Sequence, residues 1–236
     1  MNLLRSNGRP LVDGHRGARA VAPENTLAAL EAAVAAGADL VEFDVAPGLV
    51  VAHSAAETPG EALTLDAALE YLASVDIGVH VDVKLPGYEA AVVDAVRRHG
   101  LAERALFSTA LPIVSRTLAA LAPAVPRAIG YPNDRLGVSR FAWPAAVTRP
   151  GAAALRAVMP LRIPILLRQS RADVLALHHT LCSHAAVAAA HRHGAPVLAW
   201  PVSDAAGAVR LAARGVDVIV SDDPETTLAA LNARLH

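Results

Sequence analysis

The chain is poor in several residue types, and each scarcity narrows what the protein can be. A single cysteine, Cys182, excludes an internal disulfide and a metal site built from several cysteines. The formal net charge of −1 offers no electrostatic case for nucleic acid or an acidic membrane surface. No hydrophobic run reaches membrane-spanning length, and residues 1–10 lack the apolar core of a signal peptide. We therefore expect a cytoplasmic protein without an integral membrane segment.

Lysine is almost absent. Lys and Arg total 21, and Lys84 is the one lysine among them. A chain that uses arginine for nearly every positive charge and keeps one lysine suggests a site that needs a compact ammonium group, although chance retention explains a single lysine too. With 18% charged and 54% hydrophobic residues over 236 positions, we expect one compact domain spanning residues 1–236.

Short apolar strands alternate with alanine-rich helices along most of the chain. Strands are predicted at residues 10–15, 39–45 (extended at 49–53), 78–84, 105–108, 127–131, 173–178, 196–202 and 217–221. Helices are predicted at residues 25–36, 64–74, 88–99, 112–121, 183–193, 204–214 and 224–235. Residues 133–171 contain several prolines and predict only a short helix near 152–158 and an apolar run at 163–167.

About eight strands alternating with helices indicate parallel βαβ units. The chain length favours a closed (β/α)₈ TIM barrel over an open, doubly wound sheet. No glycine-rich dinucleotide-binding motif follows the first strand, which weakens the open-sheet alternative further.

The second predicted strand carries acidic residues on one face. Because side chains alternate across a strand, Glu42 and Asp44 share a face about 7 Å apart, whereas Val41, Phe43 and Val45 face a helix layer. Two carboxylates this close repel each other unless a cation or a shared proton lies between them. A divalent ion held by oxygen ligands would satisfy them. The alternative is a solvated strand face at a sheet edge.

Polar residues also follow the other predicted strands, where TIM barrels carry their chemistry. They are His15 and Arg16 after the first strand, His53 after the extension, Asp82 and Lys84 at the third, and Ser108, His178, Trp200 and Asp222 at later ones. Asp82 and Lys84 could also be a mutual ion pair that fills the barrel. A single histidine at a strand end is commonly just a hydrogen-bonded core residue.

Together these residues suit phosphodiester cleavage. Glu42, Asp44 and Asp82 form an oxygen-rich set suited to Mg²⁺ or Ca²⁺. Arg16 and Lys84 supply positive charge for a phosphoryl group. Two imidazoles, those of His15 and His53, suit the two proton transfers, one from the nucleophile and one to the leaving alkoxide.

The sequence resembles the glycerophosphodiester phosphodiesterase family at these positions. The resemblance is carried by His15-Arg16-Gly17, by Pro23-Glu24-Asn25-Thr26, by Glu42-Phe43-Asp44 with the residues before it, and by His53. It continues through Asp82-Val83-Lys84, Leu198-Ala199-Trp200 and residues 215–224, so it spans nearly the whole chain in order.

The resemblance implies a (β/α)₈ barrel that hydrolyses glycerophosphodiesters to glycerol 3-phosphate and an alcohol. It implies catalytic roles for His15 and His53, metal ligation by Glu42, Asp44 and Asp82, and phosphate or substrate binding by Arg16, Lys84, Glu24 and Trp200. From the residues alone, Asn25 is a candidate helix N-cap, Glu24 could orient Arg16 or another group of the site, and a tryptophan in a strand such as Trp200 is more often core packing.

Three departures from the family pattern stand out. Ser54 follows the second histidine where the family has Asp, and Asp82 stands where the family has Glu. The family insertion after the second strand is much shortened, to about residues 54–63. In the family, the full-length insertion covers the glycerol moiety of the substrate. Its shortening here therefore bears on the identity of the substrate more than on the chemistry.

We therefore expect a metal-dependent phosphoric diester hydrolase acting on a small-molecule phosphodiester. One alternative is a phospholipase D-like lyase that forms a cyclic phosphate, although no cationic or aromatic membrane-binding stretch is evident in the sequence. Another is a non-catalytic barrel that binds a phosphate ligand, and the fold would also permit a metal-dependent aldolase. The alcohol portion of the substrate, the ion and the oligomeric state are left open.

Overall fold

The structure is a computed structural model that describes residue 3 and residues 8–54, 62–132 and 145–234, with backbone only at 145–150 and 152. In chain order the elements are β1 (Leu11–Gly14), α1 (Leu27–Ala35), β2 (Leu40–Ala46), β3 (Val50–Val51), α2 (Leu65–Ala73), β4 (Gly78–Val83), α3 (Glu89–Arg98), β5 (Ala105–Thr109), α4 (Pro112–Leu121), β6 (Arg127–Tyr131), α5 (Ala145–Ser170), β7 (Val174–His178), α6 (His184–Arg192), β8 (Val197–Val202), α7 (Ala205–Ala213), β9 (Val218–Ser221) and α8 (Pro224–Asn232).

Eight of the strands form a closed parallel barrel. The order is β1, β9, β8, β7, β6, β5, β4 and β2, and the pairing of β2 with β1 closes the ring. The short β3 pairs antiparallel with β2, so the predicted extension at 49–53 is a hairpin rather than a barrel strand. The predicted (β/α)₈ barrel is confirmed. Most of the predicted short insertion, at residues 55–61, lies outside the described residues.

The core has an inner layer and an outer layer, as the alternation of side chains on β2 predicts. Val41, Phe43 and Val45 pack outward against helix residues such as Leu30. The opposite face turns into the barrel, where Leu40 packs with residues of the other strands. Glu42 and Asp44 share this inner face with Leu40, so the β2 carboxylates lie inside the barrel rather than on an exposed sheet edge.

One helix, α5, differs from its prediction. The prolines of this segment predict a short helix near 152–158, yet Ala145–Ser170 forms a single helix of 26 residues. Each proline inside a helix removes a backbone hydrogen bond. Met159, Ile163 and Leu167, spaced four residues apart, are buried against the barrel. Burial of this row in the tertiary structure outweighs the local cost of the prolines.

Within the described part of the chain, no helix is both long and apolar enough to cross a membrane.

Candidate active site

Nearly all of the predicted site residues lie in one network at the carboxyl end of the barrel. The connections run, in order, from His15 to Asp222, then Arg19, Glu24, Arg16, Asp44 and Lys84, and finally Asp82. His53 and Glu42 join it through Asp44 and Arg16. The sequence predicted this meeting point from the rule that barrel chemistry lies after the strands.

Three carboxylates converge at the centre of the network. One oxygen from each of Glu42, Asp44 and Asp82 lies within 4.8 Å of the others. Asp44 and Asp82 are partners in the parallel register of β2 and β4, which sets them side by side on the inner face of the barrel. Ser108 of β5 donates a hydrogen bond to Oδ1 of Asp82 at 2.7 Å and so fixes that carboxylate. The separation and burial of these oxygens fit a hard divalent cation.

The ammonium group of Lys84 lies against two of these carboxylates. Its Nζ is 2.5 Å from Oδ1 of Asp44 and also donates to Oδ2 of Asp82. Burial alone would lower the pKa of Lys84, but the charges of Asp82, Asp44 and Glu42 outweigh it and raise that pKa. Lys84 therefore stays protonated. The predicted alternative of an Asp82–Lys84 ion pair is present, and Asp44 extends it into a cluster.

Glu42 and Asp44 differ in their affinity for protons although they share a strand face. Burial, followed by the charge of Asp44, raises the pKa of Glu42 well above its usual value. Burial acts the same way on Asp44, but Lys84, a hydrogen bond from His53 and Arg16 lower the pKa of Asp44 well below its usual value. The cluster therefore holds Asp44 as a firm anion, and Glu42 is the carboxylate that gains most from a nearby cation.

Arg16 is positioned by its backbone as well as by its side chain. Its φ of 50° lies in the left-handed region, and its N–H donates to Oε2 of Glu42 at 2.7 Å. Its Nη1 donates to Oε1 of Glu24 at 2.5 Å, as predicted for Glu24, and its Nε lies 3.0 Å from Oδ2 of Asp44. The guanidinium group is thus held on two sides beside the carboxylates.

His15 contacts Asp222. The sequence predicted that Asp222 follows a late strand, but it did not predict this contact. Nδ1 of His15 lies 2.6 Å from Oδ1 of Asp222. Ser203 donates to Oδ2 of Asp222 at 2.5 Å. Burial would raise the pKa of Asp222, but these bonds and nearby Arg19 lower that pKa. Asp222 is thus an anion that can accept a hydrogen bond from a protonated Nδ1 of His15. This bond leaves Nε2 of the same ring available for substrate chemistry.

His53 is the more open of the two histidines. Its side chain is 45% exposed, and its Nδ1 lies 3.2 Å from Oδ2 of Asp44 and 3.0 Å from Nη2 of Arg16. If Nδ1 carries a proton, it donates a hydrogen bond to Asp44. If Nδ1 is unprotonated, it accepts a hydrogen bond from Arg16. Both neighbours keep the ring beside the carboxylate cluster, as predicted.

Asn25 has a role that the sequence did not reveal. The prediction that Asn25 caps the first helix is wrong, because Thr26 is the N-cap and accepts from the N–H of Ala29. Asn25, with φ of 61°, instead donates from Nδ2 to Oδ2 of Asp44 and accepts from the Asp44 N–H, both at 3.0 Å. This two-point grip fixes a buried carboxylate of the cluster.

Trp200 stands apart from the network. It packs against the apolar interior of the barrel, as the core-packing alternative predicts. Its ring also meets the ring of His178 edge-on at 5.5 Å, across neighbouring strands. Burial, and then the neighbouring His179, lower the pKa of His178 to about 4. This side of the mouth therefore presents a neutral, largely apolar wall.

The comparisons with known proteins agree with this geometry. The model of the glycerophosphoryl diester phosphodiesterase family matches residues 15–48, which include five of the predicted site residues. YhdW of Bacillus subtilis (strain 168), a protein assigned to the glycerophosphodiester phosphodiesterases, is 29% identical over 89% of this chain and 93% of its own length. A glycerophosphodiester phosphodiesterase of Caldanaerobacter subterraneus subsp. tengcongensis is 25% identical over 93% of this chain and 97% of its own.

Solved structures share the fold. A phosphodiesterase of Oleispira antarctica, solved in complex with the product sn-glycerol-3-phosphate, aligns with a TM-score of 0.73 at 22% identity, covering 95% of this chain and 97% of its own. The barrel architecture is therefore common to both proteins. Through its motifs, its relatives and its fold, this chain is confirmed to resemble the glycerophosphodiester phosphodiesterase family.

Proposed function

We propose that this chain hydrolyses glycerophosphodiesters to glycerol 3-phosphate and an alcohol, with the help of a divalent metal ion and two histidines. The relatives support the enzyme class, a phosphoric diester hydrolase. The observation that carries the proposal is the network at the barrel mouth, which joins three carboxylates, two imidazoles, Arg16 and Lys84. A small-molecule diester fits a mouth of this kind.

The metal ligands in this proposal are Glu42, Asp44 and Asp82. An ion held there would neutralise phosphoryl oxygen charge when bound, and Mg²⁺ and Ca²⁺ both accept such ligands. Arg16 and Lys84 are the cations that this chain itself supplies for the phosphate. Both are already fixed by carboxylates, so little reorganisation is needed as charge moves during the reaction.

The two histidines carry the proton transfers. One imidazole takes the proton of the attacking hydroxyl as its oxygen bonds to phosphorus. The other gives a proton to the alcohol oxygen as the P–O bond breaks. Asp222 orients His15, and Asp44 with Arg16 orients His53. The attacking hydroxyl is either water or the substrate's own glycerol hydroxyl, and the second route would pass through a cyclic phosphate.

Phosphorus NMR of the products tests the proposal directly. A panel of glycerophosphocholine, glycerophosphoethanolamine and a lysophospholipid is incubated with Mg²⁺ or Ca²⁺ in turn. Linear glycerol 3-phosphate is expected from the two glycerophosphodiesters, and the lysophospholipid, if it is cleaved, would give a linear lysophosphatidic acid. A cyclic phosphate as the final product would identify the lyase alternative instead, and binding of every diester without turnover would identify the non-catalytic barrel.

Substitution of the histidines tests their assignment. His15→Asn and His53→Asn should each lower kcat by about 10²–10⁴-fold with the fold intact. His99→Asn is the matched control, because His99 directly follows the end of α3 and contacts Asp66 far from the network. Retention of wild-type rates by both mouth variants would remove the two-histidine mechanism.

A further inference from the structure

The positive charge of the chain is concentrated in its middle. Residues 104–203 contain eleven arginines and two carboxylates, Asp134 and Asp173, whereas residues 1–103 contain fifteen carboxylates and seven basic residues. Residues 204–236 add five carboxylates and three arginines, so the formal net charge of −1 arises from a basic middle part between two acidic parts. Net charge alone therefore says little about what the basic part can bind.

The fold places part of this charge on one side of the barrel. Neither α4 nor α5 contains an aspartate or a glutamate. Among the described residues between 104 and 203, Asp173 is the one carboxylate, and it pairs with the buried Arg127. Arg116, Arg162 and Arg168 are exposed, and none has an ion-pair partner among the described residues, while the guanidinium of Arg162 lies over the Tyr131 ring at 5.2 Å from its centre. Arg116 donates to the Gln169 carbonyl at 2.8 Å and so joins the two helices.

Exposed hydrophobic side chains lie among these arginines. On α5, Val158 is 43% exposed, Leu161 76% and Ile165 47%, and Ile113 on α4 is 51% exposed. These are four of the seven large hydrophobic residues that are exposed in the described part of the chain. Single exposed hydrophobic residues are ordinary, but a cluster on one face indicates an interaction surface.

Helical geometry arranges the two kinds of side chain in an ordered stripe. At 100° per residue, Val158, Leu161 and Ile165 fall within about 60° of one another, on the side opposite the buried row of α5. Arg162 and Arg168 fall on either side of that stripe. The exposed side of α5 therefore has an apolar centre and a cationic border, the pattern of a helix that lies in a lipid–water interface.

We propose that this face, formed by Arg116, Arg162, Arg168, Ile113, Val158, Leu161 and Ile165 and here called the arginine face, binds the surface of anionic lipid bilayers. The sequence showed no such stretch because its residues are spread over two helices, and the prolines within the second hid that helix in the sequence. The inference is independent of the proposed hydrolysis, because it concerns the side of the barrel and requires no turnover.

The charge distribution favours a bilayer over the other occupants of such a face. A symmetric contact between two copies would bring two acid-free arginine faces together, and like charges at short range repel. Nucleic acid would satisfy the arginines but leave the apolar stripe without a partner. An anionic bilayer satisfies both, since lipid phosphates take the arginines and the acyl boundary takes the stripe.

Flotation with vesicles tests this inference. The full chain is mixed with phosphatidylcholine vesicles, with and without about 30% phosphatidylglycerol, at low salt and at about 0.5 M NaCl. We expect binding to the anionic vesicles at low salt, at least tenfold weaker binding at high salt, and none to phosphatidylcholine alone. Absence of binding to the anionic vesicles would overturn the inference.

Two double variants with the same change in net charge locate the surface. Arg162→Glu with Arg168→Glu should weaken binding to the anionic vesicles at least tenfold. Arg98→Glu with Arg210→Glu, on α3 and α7, should change it less than twofold. Equal losses in the two variants would mean that only the total charge matters, and would overturn the assignment of this face.

An uncharged variant separates the bilayer from other partners. Leu161→Ser with Ile165→Ser should weaken vesicle binding about fivefold with the net charge unchanged. If sedimentation velocity instead shows a dimer that this variant dissociates, a second copy covers the face and the inference is wrong. The vesicle assay involves no turnover, so it can fail while the proposed hydrolysis holds. The arginine-face variants should keep the wild-type kcat on any soluble diester that the enzyme hydrolyses, so hydrolysis and membrane binding are tested independently.

Discussion

His15 and Asp222 are 207 positions apart in the chain and lie 2.6 Å apart at the mouth of the barrel. The contact forms because β1 and β9 are neighbours, with Gly14 and Ser221 paired just before the two residues. A carboxylate on one ring nitrogen fixes the orientation of the imidazole and leaves the other nitrogen for the substrate. Asp222 is therefore a positioning residue for the proposed proton transfer.

Replacement of Asp222 tests this pairing. Asp222→Asn should lower kcat by about 10²-fold with little change in KM, because the carboxylate acts on the imidazole rather than on the substrate. Asp223→Asn is the matched control: it removes the same charge one residue later, and asparagine remains a good N-cap for α8. Steady-state kinetics of both variants decide the matter, and equal rates in the two would remove the positioning role.

The carboxylate cluster predicts that divalent ions stabilise the fold. A ligand that binds only the native state at 100 times its Kd adds about 2.7 kcal/mol to the free energy of unfolding. Thermal unfolding with and without Mg²⁺ or Ca²⁺ should show a rise in Tm for the wild type and for Asp94→Asn, an exposed control on α3. Glu42→Gln and Asp82→Asn should lose most of that rise. An undiminished rise in both would place the ion elsewhere.

The two hydrogen bonds between Asn25 and Asp44 predict that replacing Asn25 lowers both the stability of the fold and the affinity for a divalent ion. Asn25→Ala and Asn25→Gly both remove two hydrogen bonds to a buried aspartate, at a cost of about 1–3 kcal/mol in unfolding free energy. Glycine relieves the strain of the left-handed backbone at this position, so it should be the more stable of the two. Both should bind the divalent ion more weakly, as calorimetric titration would measure. Wild-type ion affinity in the glycine variant would mean that the amide group is dispensable.

Gly17, in the His-Arg-Gly motif, lies where the backbone after β1 passes close to the backbone of α1. Its replacement by alanine tests this contact. A Cβ there would lie 2.5 Å from the carbonyl oxygen of Ala29 on α1, whereas one on Gly37 would meet nothing within 4 Å. Both glycines have positive φ, 82° and 76°. Gly37→Ala should therefore cost about 1–2 kcal/mol for its backbone alone, and Gly17→Ala about 1–3 kcal/mol more. Urea unfolding compares the two, and equal losses would contradict the steric explanation.

His178 predicts a dependence of stability on pH. Its folded pKa of about 4 lies below the usual value of 6.5, so the unfolded chain binds the proton more readily between these values. The contribution of His178 to stability is thus fully present above pH 6.5 and lost as the pH falls to about 4. His178→Gln should lose less stability than the wild type between pH 7.5 and pH 5 in urea unfolding. An unchanged pH dependence would show that His178 is not held neutral.

The sequence predicted the barrel and most of its elements because strand and helix periodicities are local properties. The inward direction of Glu42 and Asp44 followed from alternation along one strand. Residues 133–171 were the exception, because the long helix α5 exists despite its prolines. The buried row that includes Met159 and Ile163 explains it, but Leu161, Ile165 and Leu166 are apolar too and hide the four-residue spacing of that row in the sequence.

By itself, the sequence determined the alternation of strands and helices, the acidic inner face of β2 and the polar residues after the strands. Only the tertiary structure decided which of these residues meet: Asp222 beside His15, Asn25 on Asp44, and Lys84 between two carboxylates. It also gathered arginines of two helices into one face. The physical reason is that hydrogen bonds and ion pairs depend on distances of a few ångströms, and for residues far apart in the chain only the closure of the barrel sets those distances.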